Sequence, residues 1–163
     1  MKKFSLTVFI LAILFSSCRQ NKTVDTTILP EPTQTGAGTF GCLVDGYIYV
    51  GGRYEDIIHG TGKSIIFKYD TAAKAMNVVV KVKNEDKSYI KFTIDGLDRN
   101  ANSQTCNFIN SRFGQYSDDN KGDSKLDSIG VVNITRLDYY RRIISGTFYG
   151  TIIKEGRFDV IFE

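Results

Sequence analysis

The stretch GCLVDGYIYVGG, residues 41–52, decides the fold, because it places Asp45 and Gly46 between two apolar runs. A two-residue type I′ turn needs a positive φ at both central positions, and Asp-Gly is one of the pairs that adopts it most readily. The runs on either side are rich in residues with high β propensity. The stretch therefore predicts a β-hairpin that turns at Asp45 and Gly46.

The chain beyond this hairpin alternates apolar and polar residues with a period of two. In KAMNVVVKV, residues 74–82, and SYIKFTID, residues 88–95, every second side chain is apolar, which is the pattern of a strand with one buried face. Further strands are predicted at 64–69, 130–137, 142–153 and 157–162. No stretch has a convincing helical period. The prediction is an all-β fold, an antiparallel β-sandwich or a partly closed β-barrel of about 7–9 strands.

Two details are predicted for the last third of the chain. Lys154, Glu155 and Gly156 are expected to form a three-residue hairpin turn with Gly156 in the left-handed conformation. Gly146, inside the long predicted strand 142–153, is expected to mark a bulge or a bend.

The N-terminus has the layout of a secretory leader. Lysines at the start are followed by an apolar run from Leu6 to Phe15 and then by small residues directly before Cys18. LFSS followed by Cys resembles a lipobox, so residues 1–17 are predicted to be a lipoprotein signal peptide and Cys18 to carry the lipid. The alternative is an ordinary secretory leader with an incidental cysteine at position 18. Lipidation predicts a membrane partner, since two or more acyl chains anchor a protein stably.

Residues 18–39 carry both prolines of the chain and no periodic apolar pattern, so they are predicted to be a lipidated, disordered tether. A single all-β domain is predicted to follow at 40–163. Removal of the leader leaves 19 basic and 18 acidic residues, so nucleic acid is not an expected partner. The residue after Cys18 is Arg19 and not Asp, and by resemblance to lipoprotein sorting rules this favours the outer membrane and its periplasmic face over surface display.

Two cysteines remain for the domain, Cys42 and Cys106. An even pair in an exported chain favours a disulfide bridge between them. Both lie in or beside apolar strand-like stretches, so two buried free thiols are the alternative. Sequence separation does not reveal whether the two Cα atoms approach within the roughly 7 Å that a disulfide needs.

Several short motifs carry the chain's resemblance to a family. The opening TFGCLVDG, together with ITRLD at 134–138, RIISGTF at 142–148 and GRFDV at 156–160, resembles a family of small Bacteroidetes lipoproteins with no assigned activity. In that family a proline-containing tether leads into an FGC-L-V-N/D-G opening. The resemblance covers the start and the last third of the domain. It implies an exported β-domain and supplies no catalytic residues.

Chemical motifs in the sequence are weak, and no metal site or cofactor is predicted. HGTGKS at 59–64 ends like a phosphate-binding loop but lacks the first glycine and the following helix, so a glycine-rich hairpin is the better interpretation. DDNKGDSKLD at 118–127 could bind calcium, yet its spacing fails the EF-hand pattern, and a solvated acidic loop is expected. His59 is the only histidine, which rules out a zinc site built on several histidines. A surface role for it is expected over a catalytic one.

Tyrosines give the strongest hint of a binding surface. Five of them, near turns or strand ends, could stack on sugars or on an extended peptide, although tyrosines on outer strand faces are the plainer interpretation: Tyr47, Tyr49, Tyr54, Tyr139 and Tyr140. The long polar stretches 51–63 and 111–128 are where a site is expected. The favoured hypothesis is a non-enzymatic envelope module that binds a protein or glycan partner. The alternative is a small periplasmic hydrolase or a barrel that carries an apolar ligand, so enzymatic activity is left open.

Overall fold

The computed structural model describes residue 25 and residues 27–51, 64–82, 88–115 and 123–163. In these ranges every regular element is a β-strand, which confirms the all-β prediction. No helix that could span a membrane is found among these residues. The strands in chain order are β1 (Thr39–Val44), β2 (Tyr47–Gly51), β3 (Ile65–Asp70), β4 (Ala75–Val82), β5 (Ser88–Asp95), β6 (Gln104–Gln115), β7 (Ser124–Lys125), β8 (Ile129–Asp138), β9 (Ile143–Tyr149) and β10 (Ile153–Ile161).

Eight of these strands form an antiparallel barrel in the order β2, β1, β10, β9, β8, β6, β5 and β4. The pairing of Gly51 with Val82 joins β2 back to β4 and closes the ring. Two extra strands lie beside it, β3 on β4 and β7 on β6. Of the two architectures predicted from the sequence, the structure therefore has the barrel. Closure pairs strand edges that a sandwich would leave open.

The first hairpin has the turn that the sequence predicts. Val44 pairs with Tyr47 across a two-residue loop. Asp45 has a φ of 51° and Gly46 a φ of 82°, so both central residues are left-handed, as a type I′ turn requires. The twist of this turn matches that of the strands, and β2 can therefore pair with β1 along its whole length.

Side chains from the inner strand faces fill the barrel. Phe148 on β9 is at the centre of a phenylalanine cluster, with its ring centroid 5.4 Å from Phe40, 5.1 Å from Phe92, 6.1 Å from Phe108 and 6.0 Å from Phe158. The predicted inner faces of β4 and β5 belong to the same core: Met76, Val78, Val80, Val82, Ile90, Phe92 and Ile94. Eight strands leave an interior just wide enough for side chains, and this one is packed with them.

The last hairpin turns earlier than the sequence predicts. The chain reverses at 150–152, between β9 and β10, and not at 154–156. Asp127 fixes this turn, because its carboxylate accepts hydrogen bonds from the backbone N–H of Thr151 (2.8 Å) and of Ile153 (2.9 Å). The partner that decides the turn is thus distant in sequence, and a local pattern cannot reveal it.

Gly156 also has a different role from the predicted one. It lies inside β10, and Glu155 is the residue with a positive φ, 49°. The pairing of β10 with β1 shifts by one residue there, so Glu155 belongs to a bulge. A bulge or a bend was predicted at Gly146, which lies on β9. The structure has the bulge in the neighbouring strand β8, where Thr135 is an extra residue between Ile134, which pairs with Gly146, and Arg136.

The predicted disulfide is absent, and Cys42 and Cys106 are both buried free thiols. Cys42 lies on β1 and Cys106 on β6, and three strands separate β1 from β6 in either direction around the ring. The two cysteines therefore stand on opposite walls of a barrel whose interior is packed with side chains. A bridge needs Cα atoms within about 7 Å, which opposite walls do not offer.

The antiparallel order brings three turns to one end of the barrel. These are the turns at 71–74, 96–103 and 139–142, which join β3 to β4, β5 to β6 and β8 to β9. We call this the Arg99 end. The turns at 45–46 and 150–152 lie at the opposite end.

Candidate functional site

Several of the residues singled out from the sequence lie outside the described part of the chain. These are the leader 1–17, the lipidation residue Cys18, His59 and Tyr54. The stretch 51–63 lies outside it beyond Gly51.

The acidic stretch 118–127 is described only from Asp123 onward, and its last residue has a structural role. Asp127 is 4% exposed, and both of its carboxylate oxygens accept hydrogen bonds from the 150–153 backbone. Its backbone N–H donates a hydrogen bond to the Ser111 hydroxyl oxygen at 2.7 Å. Among the described residues no group of three His, Cys, Asp or Glu side chains could hold a metal ion. Asp127 therefore clamps a turn.

The tyrosines do not form one surface. Tyr47 is 72% exposed, while Tyr49 packs edge-on against Phe113 with centroids 5.2 Å apart. Both lie on β2, whereas Tyr139 and Tyr140 belong to a turn at the Arg99 end. The sequence therefore identified two separate tyrosine pairs, one of which lies beside the clefts described below.

A second buried carboxylate, Asp159 on β10, holds the segment that precedes β1. We call residues 29–38 the strap. Asp159 is 1% exposed, and its carboxylate accepts hydrogen bonds from the side chain of Thr33 (2.6 Å) and the backbone N–H of Gly36 (2.8 Å). The Thr35 and Ala37 N–H groups donate to it as well, at 2.9 and 3.1 Å. This part of the predicted tether is thus bound to the barrel.

Hydrogen bonds also decide the ionisation of Asp159. Burial alone would raise the pKa of its carboxyl, but the bonds from Ser145, from Thr33 and from the strap backbone outweigh burial. The net pKa therefore lies well below its ordinary range, and the group is a carboxylate at neutral pH. Its oxygens are fully engaged, so Asp159 is a structural anchor for the strap.

The strap makes further contacts along the outer wall. A Cβ on Gly41 would lie 2.5 Å from the Cδ of Pro30, so the glycine lets the strap pack directly on the β1 backbone. The Arg157 guanidinium donates to the Pro30 carbonyl at 3.4 Å, and that of Arg136 donates to the Gln34 carbonyl. The strap therefore spans from β1 across β10 toward β8.

The Arg99 end contains a cation held by two aromatic rings. The Arg99 guanidinium lies 4.9 Å from the ring centroid of Tyr139 and 5.7 Å from that of Tyr69. These two rings meet edge to face at 5.5 Å, and Tyr139 packs in the same way on Phe162 at 5.4 Å. Phe162 belongs to the barrel core, so the tyrosines are a fixed platform for Arg99.

The phenols of this platform are shielded from water. The hydroxyl oxygens of Tyr69 and Tyr139 are buried, and neither has a hydrogen-bond partner among the described residues. Burial, with the neighbouring Tyr69 next in importance, raises the pKa of the Tyr139 phenol, while Arg99 acts in the opposite direction. The Tyr139 phenol is therefore neutral at physiological pH, so it does not cancel the positive charge of Arg99.

Two open clefts flank Arg99. The arginine cleft has a volume of about 470 Å³ and is lined by Arg99, Asn102, Thr135, Arg136, Leu137, Asp138 and Tyr139. The second cleft, of about 430 Å³, is lined by Tyr69, Thr71, Lys74, Gly96, Leu97, Asp98, Arg99 and Asn100. Both fall in the size range of small-ligand sites. They share Arg99, which makes this residue the centre of the candidate site.

The sequence indicated only part of this site. Tyr139 stands out because it precedes a turn, but Arg99 is one of many charged residues in polar turns. Arg99 stands out only once the 96–103 and 139–142 turns are known to lie at the same end of the barrel, and that follows from the strand order. No protein-family model, curated protein or solved structure matches this chain.

Proposed function

We propose that this protein is a lipid-anchored, non-enzymatic binding module of the bacterial envelope. In this proposal residues 1–17 are removed, Cys18 carries the lipid, and the barrel presents its Arg99 end to a ligand. The leader pattern and the resemblance to small Bacteroidetes lipoproteins support the anchor.

One observation carries the binding role. Arg99 is held on a rigid tyrosine platform between two open clefts, while the barrel interior is filled by phenylalanine rings. A fixed cation beside aromatic rings recognises ligands at little entropic cost, because the side chain is already ordered. The ligand contact is therefore proposed on the outside of the barrel.

The alternatives from the sequence have less support. A carrier of an apolar ligand would need a cavity where the Phe148 cluster packs. A hydrolase that acts through two carboxylates would need free oxygens on both, and the two buried carboxylates among the described residues, Asp127 and Asp159, are committed to backbone and hydroxyl donors. A binding surface at the Arg99 end needs neither an internal cavity nor free carboxylates.

The proposed location is the outer membrane, on its periplasmic face, because Arg19 and not Asp follows Cys18. Protease treatment of intact cells expressing the full chain should leave the barrel uncut. Cleavage of the domain in intact cells, with a periplasmic marker still protected, would place it on the cell surface instead.

Lipid attachment can be tested directly in cells. The full chain should incorporate a clickable palmitate analogue and sediment with membranes, while Cys18→Ala should do neither. The variant Cys42→Ala is the matched control and should label like the wild type. Equal labelling of the Cys18→Ala variant would refute the anchor.

Binding at the Arg99 end can be tested with envelope material. The chain from residue 18, carrying Cys18→Ala, should cosediment saturably with purified envelope fragments, and Arg99→Gln should weaken this at least tenfold. Lys125→Gln is the control, since Lys125 is an exposed cation on β7, away from the Arg99 turns. Wild-type binding by the Arg99→Gln variant, or no saturable binding at all, would overturn the proposed site.

A further inference from the structure

The charges around the arginine cleft are unbalanced. Arg99 and Arg136 line it, and Arg141 is close enough to act on the carboxylate of Asp138, the only acidic residue among the described residues of the lining. Asp138 is already engaged: one oxygen accepts from the Arg136 guanidinium at 2.8 Å and the other from the Arg141 N–H at 2.9 Å. Asp138 thus interacts with Arg136 and Arg141, and Arg99 is a further positive charge in the lining.

Of the two arginines that line the cleft, Arg99 is the one left for a ligand. Arg136 forms an ion pair with Asp138 and also binds the Gln34 carbonyl of the strap. No salt bridge joins Arg99 to an acidic side chain in the described ranges; its described contacts are with the faces of Tyr69 and Tyr139. The two rings stand at 79° to each other, so the guanidinium can lie flat on only one of them, and its five N–H donors outnumber these two ring contacts.

We infer that the arginine cleft binds a carboxylate group of its ligand through Arg99, an inference that rests on the proposed function of this end of the barrel. The planar fork of a guanidinium matches the two oxygens of a carboxylate. A single unpaired arginine beside Asp138 fits a singly charged group better than a phosphate dianion, which Asp138 would repel. Contact with the Tyr69 and Tyr139 rings holds the guanidinium at this cleft.

Two sources of a carboxylate suit an envelope protein, an acidic sugar and the end of a peptide. The test uses one probe from each, glucuronate and N-acetylalanine, with glucose and N-acetylalanine amide as uncharged counterparts. Inorganic phosphate is the fifth probe. Binding is followed by ¹H–¹⁵N NMR on the chain from residue 18 carrying Cys18→Ala, with the Arg99 Nε–H and the Tyr139 and Tyr140 amides as reporters.

We expect at least one carboxylate probe to shift these reporters with a roughly millimolar Kd, as befits a fragment, and its uncharged counterpart to bind at least tenfold more weakly. The stronger of the two carboxylates identifies the source. Arg99→Gln should abolish the shifts, and Arg99→Lys should weaken binding several-fold because the fork is lost. Lys125→Gln, which removes an exposed cation on β7 away from the Arg99 turns, should change the Kd less than twofold.

The contrary outcomes separate this inference from the proposed function. Equal binding of charged and uncharged probes at these reporters would overturn the carboxylate inference and leave the proposed site standing, as would binding of phosphate alone. Shifts confined to the 45–46 and 150–152 turns would overturn both. The absence of any shift would overturn the inference, and the envelope cosedimentation above would then decide the site. A dispersed spectrum for each variant shows that it is folded.

Discussion

Phe148 lies directly opposite Gly156 in the ladder between β9 and β10, and a Cβ on that glycine would lie 2.6 Å from three carbons of the phenylalanine ring. The same relationship joins Phe108 on β6 to Gly130 on β8, where a Cβ would overlap the ring as well. The large rings at the barrel centre therefore fit because the residues opposite them on the neighbouring strands are glycines, which have no side chain. An aromatic residue packed on a cross-strand glycine also restores apolar burial that the glycine lacks.

Replacing Gly156 with alanine should lower the free energy of unfolding by roughly 1–3 kcal/mol, because the new methyl group overpacks against Phe148. Urea denaturation monitored by circular dichroism measures this. In a Phe148→Leu background the same glycine change should cost less, since the smaller side chain leaves room. An identical cost in both backgrounds would show that the ring is not what excludes the methyl group.

The Asp159→Asn variant should release the strap. One carboxylate oxygen becomes an amide NH₂ that faces donors such as the Gly36 N–H or the Thr33 hydroxyl, so the unfolding free energy should fall by roughly 2–4 kcal/mol. Limited proteolysis should then cut within 29–38 while the barrel stays intact. The exposed Asp95→Asn is the control and should stay within about 0.5 kcal/mol of the wild type. A strap as resistant in Asp159→Asn as in the wild type would contradict the anchoring role.

The contribution of Asp159 to stability should depend on pH in a defined direction. Its folded-state pKa lies below the ordinary value of about 3.9. The stabilisation is therefore complete above about pH 5 and is lost as the pH falls toward the folded-state pKa. The difference in unfolding free energy between the wild type and Asp159→Asn should shrink between pH 5 and pH 3. A difference that stays constant over this range would mean that the charge does not matter.

The two domain thiols should react slowly until the protein unfolds. Burial raises the pKa of Cys42, and burial followed by the charge of Asp95 raises that of Cys106. With Cys18→Ala, a colorimetric disulfide reagent should find almost no reactive thiol in the native protein and two after denaturation without reductant. Cys106 should react before Cys42, since it is 7% exposed and Cys42 is fully buried. Absence of reactive thiols after denaturation would show that a bridge exists.

Local chemistry in the sequence was sufficient for most of the strands and for the first turn. It did not predict β6, whose end lies within the stretch 111–128 that was expected to be a polar loop. The alternation in KAMNVVVKV and SYIKFTID predicts which faces are buried, because a strand's side chains point alternately to either side. Asp45 and Gly46 predict their turn because few residue pairs tolerate two positive φ angles. Each of these features depends on neighbours in the chain.

Features that depend on distant partners were missed. The 150–152 turn is set by Asp127, the position of Gly156 is set by Phe148, and the thiols of Cys42 and Cys106 are kept apart by strand order. To predict any of these three features from the sequence, one would first have to know which strands are neighbours. The centre of the candidate site, Arg99, is of the same kind, since its platform comes from β3, which carries Tyr69, and from the 139–142 turn, which carries Tyr139.

If Cys18 carries a lipid, the strap shortens the free linker between the membrane and the barrel. Without the strap, the linker between Cys18 and the barrel would extend to the start of β1 at Thr39. Because the strap is bound to the barrel from about residue 29, only the residues from Cys18 to the strap are left to span the distance between membrane and barrel. Fully extended, eleven residues reach at most about 40 Å. A lipid on Cys18 would therefore confine the Arg99 end to a thin layer at the membrane surface, where a weak ligand site experiences a high local concentration of anything that shares that layer.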